Sequence, residues 1–231
     1  MLATPALADS ARAPVAPAKP APRAPAVNLA PIDVSTLPDA CRPIAKQASA
    51  PVVTQALQAR VNLAGCIAEQ KVGKLELLDT QESMLAIEDA IQPSLALLDE
   101  VAKAGDLPMQ VIALHARGEL YTSMANRMLA AIPPAPQTPD GAAFRETRKA
   151  LLENLLAPWR GEAIAAAERV VELAKQHPEL TKNPMLRTAL RASQDRVATK
   201  VATAAPAPAD DANAEPASDD KAPASDRAAS K

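Results

Sequence analysis

The chain has 231 residues and 24.1 kDa, with 54 alanines, 23 prolines and three aromatic residues, Tyr121, Phe144 and Trp159. It carries 25 bases against 27 acids. The shortage of aromatic and β-branched residues excludes an all-β or Rossmann-type protein; six glycines argue against glycine-rich phosphate loops, and no run approaches the 18 apolar residues of a membrane span.

Residues 1–36 hold seven prolines and read as a Pro/Ala linker favouring extended polyproline II over packed structure. Ala6-Leu7-Ala8 has the small-x-small form of a signal-peptidase site. Two readings stay open: the remnant of a secretion signal whose start lies upstream, or a chance match in an alanine-rich chain. Export to the periplasm or outside the cell is the leading expectation, with the cytoplasm as the alternative. Residues 205–231 carry six acids, three bases and no large apolar side chain, so they are expected to stay disordered. The segment between, residues 37–204, has 19 acids and 19 bases. A neutral domain beside an acidic tail lacks the basic face that nucleic-acid binding needs.

The ordered segment reads as helices throughout. Cys41 lies in a short leading segment and Cys66 in the long helix after Pro51. An even count is consistent with one disulfide in an oxidising compartment, and two buried thiols are the alternative. The long helix is striped by Val53, Leu57, Val61, Ala64, Ala68, Val72, Leu75 and Leu78, which predicts about 28 residues of helix. Leu63-Ala64-Gly65-Cys66 has the form of a bacterial lipobox, but Gln55, Gln58, Arg60 and Asn62 interrupt the apolar run that lipidation requires. Asp79 and Glu82 form a capping pair for a second helix, with Pro93 as a kink and Gly105 as its end. Asp106-Leu107-Pro108 opens a third helix that stops at Ile132-Pro133-Pro134. A fourth holds Phe144, Arg148, Leu151 and Leu155 and breaks near Pro158; a fifth runs from Arg160 to His177. Asn183-Pro184 starts the last. The expected fold is all-α, with five to six helices in an irregular bundle or a short solenoid.

Gly118-Glu119-Leu120-Tyr121 resembles the Gly-x-x-Tyr step in the first helix of a tetratricopeptide repeat. Ala167, Val171, Ala174 and Pro178 resemble the series of small, bulky, small and proline residues in the second. The proline falls one residue early, and no 34-residue period is visible. The resemblance covers roughly 30 residues and implies a degenerate solenoid binding peptides or partner proteins along a concave face.

No chemistry-bearing constellation stands out. His115 and His177 titrate near neutrality by type, but neither has a nucleophile at a recognised spacing. Two cysteines and two distant histidines form no metal-ligand cluster, so no catalytic residue, metal or other cofactor is expected. For a partner, the stripe Tyr121, Met124, Arg127 and Met128 offers adaptable contacts, and Trp159 is a candidate anchor; a buried core is the other reading of both. The leading expectation is a non-catalytic helical interaction or scaffold module of the bacterial cell envelope with a protein or peptide partner. A self-associating spacer, a homo-oligomer, is one alternative. A helical enzyme or small-ligand binder using a pocket near His115 and Tyr121 is the other.

Overall fold

The computed structural model describes residues 29–204, with side chains through Lys200. The expected leader site, most of the Pro/Ala linker and the acidic tail lie outside the described residues. Seven α-helices and no strands occur among those described: α1 (Arg42–Ala48), α2 (Val53–Val72), α3 (Gln81–Ala104), α4 (Leu107–Ala130), α5 (Gly141–Leu155), α6 (Ala157–Gln176) and α7 (Arg187–Ala204). The protein is all-α. The helix beyond the expected six is α1, in the short segment that carries Cys41.

Local chemistry sets most boundaries. Asp106 caps α4 by accepting from the Met109 N–H at 3.1 Å. Asn183 accepts from the Met185 N–H at 3.0 Å, opening a 3₁₀ turn that leads into α7. Gly105 ends α3 without entering the left-handed region (φ −76°). Glycine is required there by space, because a Cβ would lie 2.7 Å from both the Met109 Cβ and the Val101 carbonyl oxygen.

Three boundaries depart from expectation. The long helix ends at Val72, well short of 28 residues: Gly73 bonds back to the Glu69 carbonyl at 2.9 Å, and Leu75 and Leu77 pack on the core from an irregular turn. The cap of α3 is Thr80, which accepts from Ser83 at 3.3 Å. Glu82 still profits from that first turn, since its own backbone N–H and the Thr80 hydroxyl hold its carboxyl below the usual range. Asp79 turns away to α5. The break between α5 and α6 falls at Leu156, with Pro158 in the first turn of α6, where its missing N–H costs nothing.

Neighbouring helices pair as α1–α2–α3–α4, but α4 then packs chiefly on α6, and α6 on α7. Helix α5 lies at the periphery. Helices α4 and α6 run antiparallel: Val111 clusters with Val170 and Leu173, while Gly118 further along meets Ala163 and Ala166. A Cβ at Gly118 would sit 3.3 Å from the Ala163 carbonyl oxygen, so glycine sets how closely the two axes approach. The largest core cluster joins Ile87, Ile91 and Leu95 of α3 to Met124 and Met128 of α4, and to Leu152, Leu156 and Trp159. Burying each such side chain stabilises the fold by about 1.5–3 kcal/mol.

The N-terminal boundary also moves. The linker was expected to run through residue 36, but residues from Leu29 onward dock on α2 and α3, with Ile32, Val34 and Leu37 packed against the cluster around Cys41. Arg60, 3% exposed, explains why. Its Nη2 donates to the Ala30 carbonyl at 2.6 Å, its Nη1 pairs with Glu100, and Glu100 accepts from the Ala30 N–H at 2.6 Å. One buried ion pair thereby satisfies both polar groups of Ala30, which offsets part of the desolvation cost of burying it. Farther along, Cys41 and Cys66 form a disulfide with Cα atoms 5.8 Å apart. Residues 29–41, a strap across α2 and α3, are thus held at two points.

Candidate functional site

A groove of about 840 Å³ opens between α4, α6 and α7. Small side chains make it: Ala125 on α4, Ala163 on α6 and Ala192 on α7 leave space between the three helices, with Ile164 as the bulkiest apolar residue. Basic residues stand along it, Arg160, Arg196 and Lys200, together with Asp195 and Asn126. Each base is tied to a carboxylate outside the groove. Arg196 bonds Glu119 at 2.8 Å, Lys200 bonds Glu168 at 2.6 Å, and Arg160 lies 3.5 Å from Glu153. Each base along the rim therefore already has a carboxylate partner. An apolar floor between polar walls suits an amphipathic or extended polypeptide, whose apolar side chains enter while its polar groups meet the rim.

Beside the groove, Arg117 joins three helices. It bonds Asp99 of α3 and, at 3.0 Å, Glu162 of α6, and its guanidinium stands 5.7 Å from the Tyr121 ring centroid. Burial works against its charge, but the bonds to Glu162 and Asp99 outweigh that and raise its pKa. Burial also raises the Tyr121 phenol, against the opposing effect of Arg117.

The five expected partner-binding residues are brought close together, but chiefly inward. Tyr121, Met124, Met128 and Trp159 lie in the largest core cluster, so their contribution is packing between helices rather than an outer contact surface. The physical reason is that α4 is covered along this stripe by α3 and α6, the core reading of the same spacing. The Trp159 Nε1 donates to Glu88 at 2.7 Å, which lets an indole stay buried without an orphan donor. Arg127 alone reaches solvent, paired with Glu69 of α2.

His115 and His177 do not converge. Burial lowers the pKa of His115, with Glu119 opposing the shift, and its Nδ1 is 3.9 Å from Glu119, too far for a hydrogen bond. It does not line the groove, nor does Tyr121. His177 ends α6 with its Nδ1 3.3 Å from Glu179. Among the described residues no group of three His, Cys, Asp or Glu side chains could hold a metal ion. No helix among them is long and apolar enough to cross a membrane. The groove residues carried one faint signal in the sequence, alanines on three separate helices, and nothing in their spacing ties those helices together.

No family model matches the chain, and neither a curated protein nor a solved structure matches it.

Proposed function

We propose that this chain is a non-catalytic helical interaction module of the bacterial cell envelope, receiving a protein or peptide segment along the α4–α6–α7 groove. The observation that carries the reading is the groove itself: open, apolar at its floor and rimmed by bases paired with carboxylates. A rim base that already holds a carboxylate has less side-chain freedom left to lose when a partner enters. The Cys41–Cys66 disulfide supports an oxidising compartment, periplasmic or secreted.

The tetratricopeptide reading takes a modified form within this proposal. Helices α4 and α6 stand as the two helices of one degenerate repeat, with α5 as an insertion between them. Close approach of Gly118 to Ala163 and Ala166 supports it, because a repeat's first helix uses glycine for that contact.

The test is a photo-crosslinking amino acid placed at Ala192, in the groove, and separately at the exposed Lys103, expressed in the native host. A discrete adduct at position 192 and none at 103 is the expected result. Identical adduct patterns at both positions, or no adduct at 192, would refute the groove as the binding site.

A further inference from the structure

His115 stands one turn before Glu119 on α4, and its Nδ1 is buried without a hydrogen-bond partner. At 3.9 Å from that nitrogen is Glu119 Oε1, the same oxygen that accepts from Arg196 Nη2 at 2.8 Å. Arg196 comes from α7 and lies close on the backbone of α4, its Nη1 2.9 Å from where a Cβ would stand at Gly118. It also lines the groove. A titratable ring and a base of the groove rim therefore share one carboxylate oxygen.

The other charges around α4 are engaged elsewhere. Asp99 of α3 and Glu162 of α6 are held by Arg117, and Glu69 of α2 by Arg127. At the level of His115, α6 turns Ala166 and Val170 toward α4, and the 3₁₀ turn Pro184–Leu186 carries no charge. On α7, Asp195 and Lys200 line the groove, and Lys200 is held by Glu168. Glu119 and Arg196 are the charges that act on His115.

We propose that His115 is a proton-operated release for Arg196, giving the groove a free cation in acid that receives a carboxylate of the partner segment. With the ring neutral, Glu119 serves Arg196 alone. Protonation makes Nδ1 a donor, whichever nitrogen held the proton before, and a movement of about 1 Å brings it to bonding distance of Oε1. Two cations then compete for one oxygen while repelling each other. Access to water decides between them. Nδ1 is shut away from solvent, so an imidazolium left unpaired there would carry the full cost of desolvation. Arg196 borders an open groove, where its weakly hydrated guanidinium meets water or a new carboxylate at small cost. Arg196 is the one that yields.

Burial holds the His115 pKa below its ordinary value, Glu119 opposes that shift and Arg196 adds to it. The exchange therefore begins only below about pH 6.5. Linkage runs both ways: a partner carboxylate that takes Arg196 leaves Glu119 to the ring and so favours its protonation. The consequence for a partner rests on the groove as the binding site; the release itself does not.

NMR of histidine ring C–H and arginine side-chain N–H signals of the full chain, between about pH 5 and pH 8 and so above the ordinary carboxylate range, tests the release with no partner present. The chain has two histidines; His115→Gln assigns the ring and Arg196→Lys the guanidinium. In wild type the Arg196 signal is expected to move with a midpoint within about 0.2 pH unit of that of His115, and in His115→Gln to stay still. Glu119→Gln should hold Arg196 at its acid position throughout and lower the His115 midpoint further, because the charge that raises it is gone. An Arg196 signal that ignores the titration of His115, or moves as much in His115→Gln, would overturn the proposal. Crosslinking from position 192 reads the consequence: adduct yield should rise at least about threefold from about pH 7.5 to about pH 5.5 and lose that rise in His115→Gln. An adduct whose yield is the same at both pH values would overturn the proposal as well. No adduct at either pH, with Arg196 still following His115, would remove the groove as the binding site and uphold the release.

Discussion

Replacing Cys41 and Cys66 together by alanine removes the covalent staple between the N-terminal strap and α2. The two residues are 25 apart in sequence. For a loop of that length the chain-entropy argument assigns the cross-link about 3.5 kcal/mol, acting through the unfolded chain. Domains of this kind have about 5–15 kcal/mol in total, so the loss is a large share. Urea unfolding followed by circular dichroism measures it, comparing oxidised protein, protein reduced with free thiols verified by alkylation, and the double variant. Reduced and variant proteins should each lose about 3–4 kcal/mol, and the melting temperature should fall by roughly 7–14 °C. Coincidence of the oxidised and reduced curves within about 0.5 kcal/mol would refute the reasoning. So would a separate early transition carrying the whole loss, since the entropy argument needs the stapled segment to unfold together with the rest.

Gly118→Leu should destabilise the fold by about 1–3 kcal/mol, because even a Cβ there would lie 3.3 Å from the Ala163 carbonyl oxygen and 2.9 Å from the Arg196 guanidinium; thermal melts would show it, and an unchanged melting temperature would mean that α4 and α6 can part freely. Arg60→Met leaves Glu100 facing a buried site without its cation and the Ala30 carbonyl without its donor, so a loss of about 3 kcal/mol is expected, with amide exchange of Ala30 rising first. His115 has a folded pKa below its unfolded value, so its contribution to stability is fully present above about pH 6.5 and is lost as pH falls through the folded pKa. His115→Gln should accordingly flatten the fall in stability below pH 6.5, and a variant retaining the wild-type slope would assign that slope to other groups.

Helix identity was legible where a local signal stands alone. Asp106 and Asn183 cap as their positions imply, and Pro133-Pro134 stops α4 because proline can neither donate nor continue the turn. The same reasoning misjudged α2, since Leu75 and Leu78 continue the apolar spacing past Gly73 and periodicity does not see a backbone that has left the helix. The partner stripe was harder. Tyr121, Met124 and Met128 have the spacing of any helical face, and whether that face is covered depends on α3 and α6, which lie dozens of residues away. Arg60 shows the same blindness in reverse. In sequence it interrupts an apolar stripe, and only the arrival of Ala30 and Glu100 from both sides makes it a buried clasp. The groove arises from three alanines on three helices, and their distances along the chain carry no trace of it.

The strap also decides how a pull on its N-terminal side would pass into the fold. Tension applied upstream of Leu29 meets the Arg60–Glu100 clasp first, a noncovalent catch that spares the packed helices behind it. If that catch lets go, the force arrives at Cys41 and crosses directly to Cys66. Helix α1 and residues 53–65 of α2, most of that helix, lie inside the bridged loop and are bypassed. The pull is therefore delivered to the interior of α2, where Ala64, Ile67 and Ala68 are buried on either side of the attachment point. An attachment of this kind resists being peeled from its end, because the first helix that feels the force is gripped inside its length.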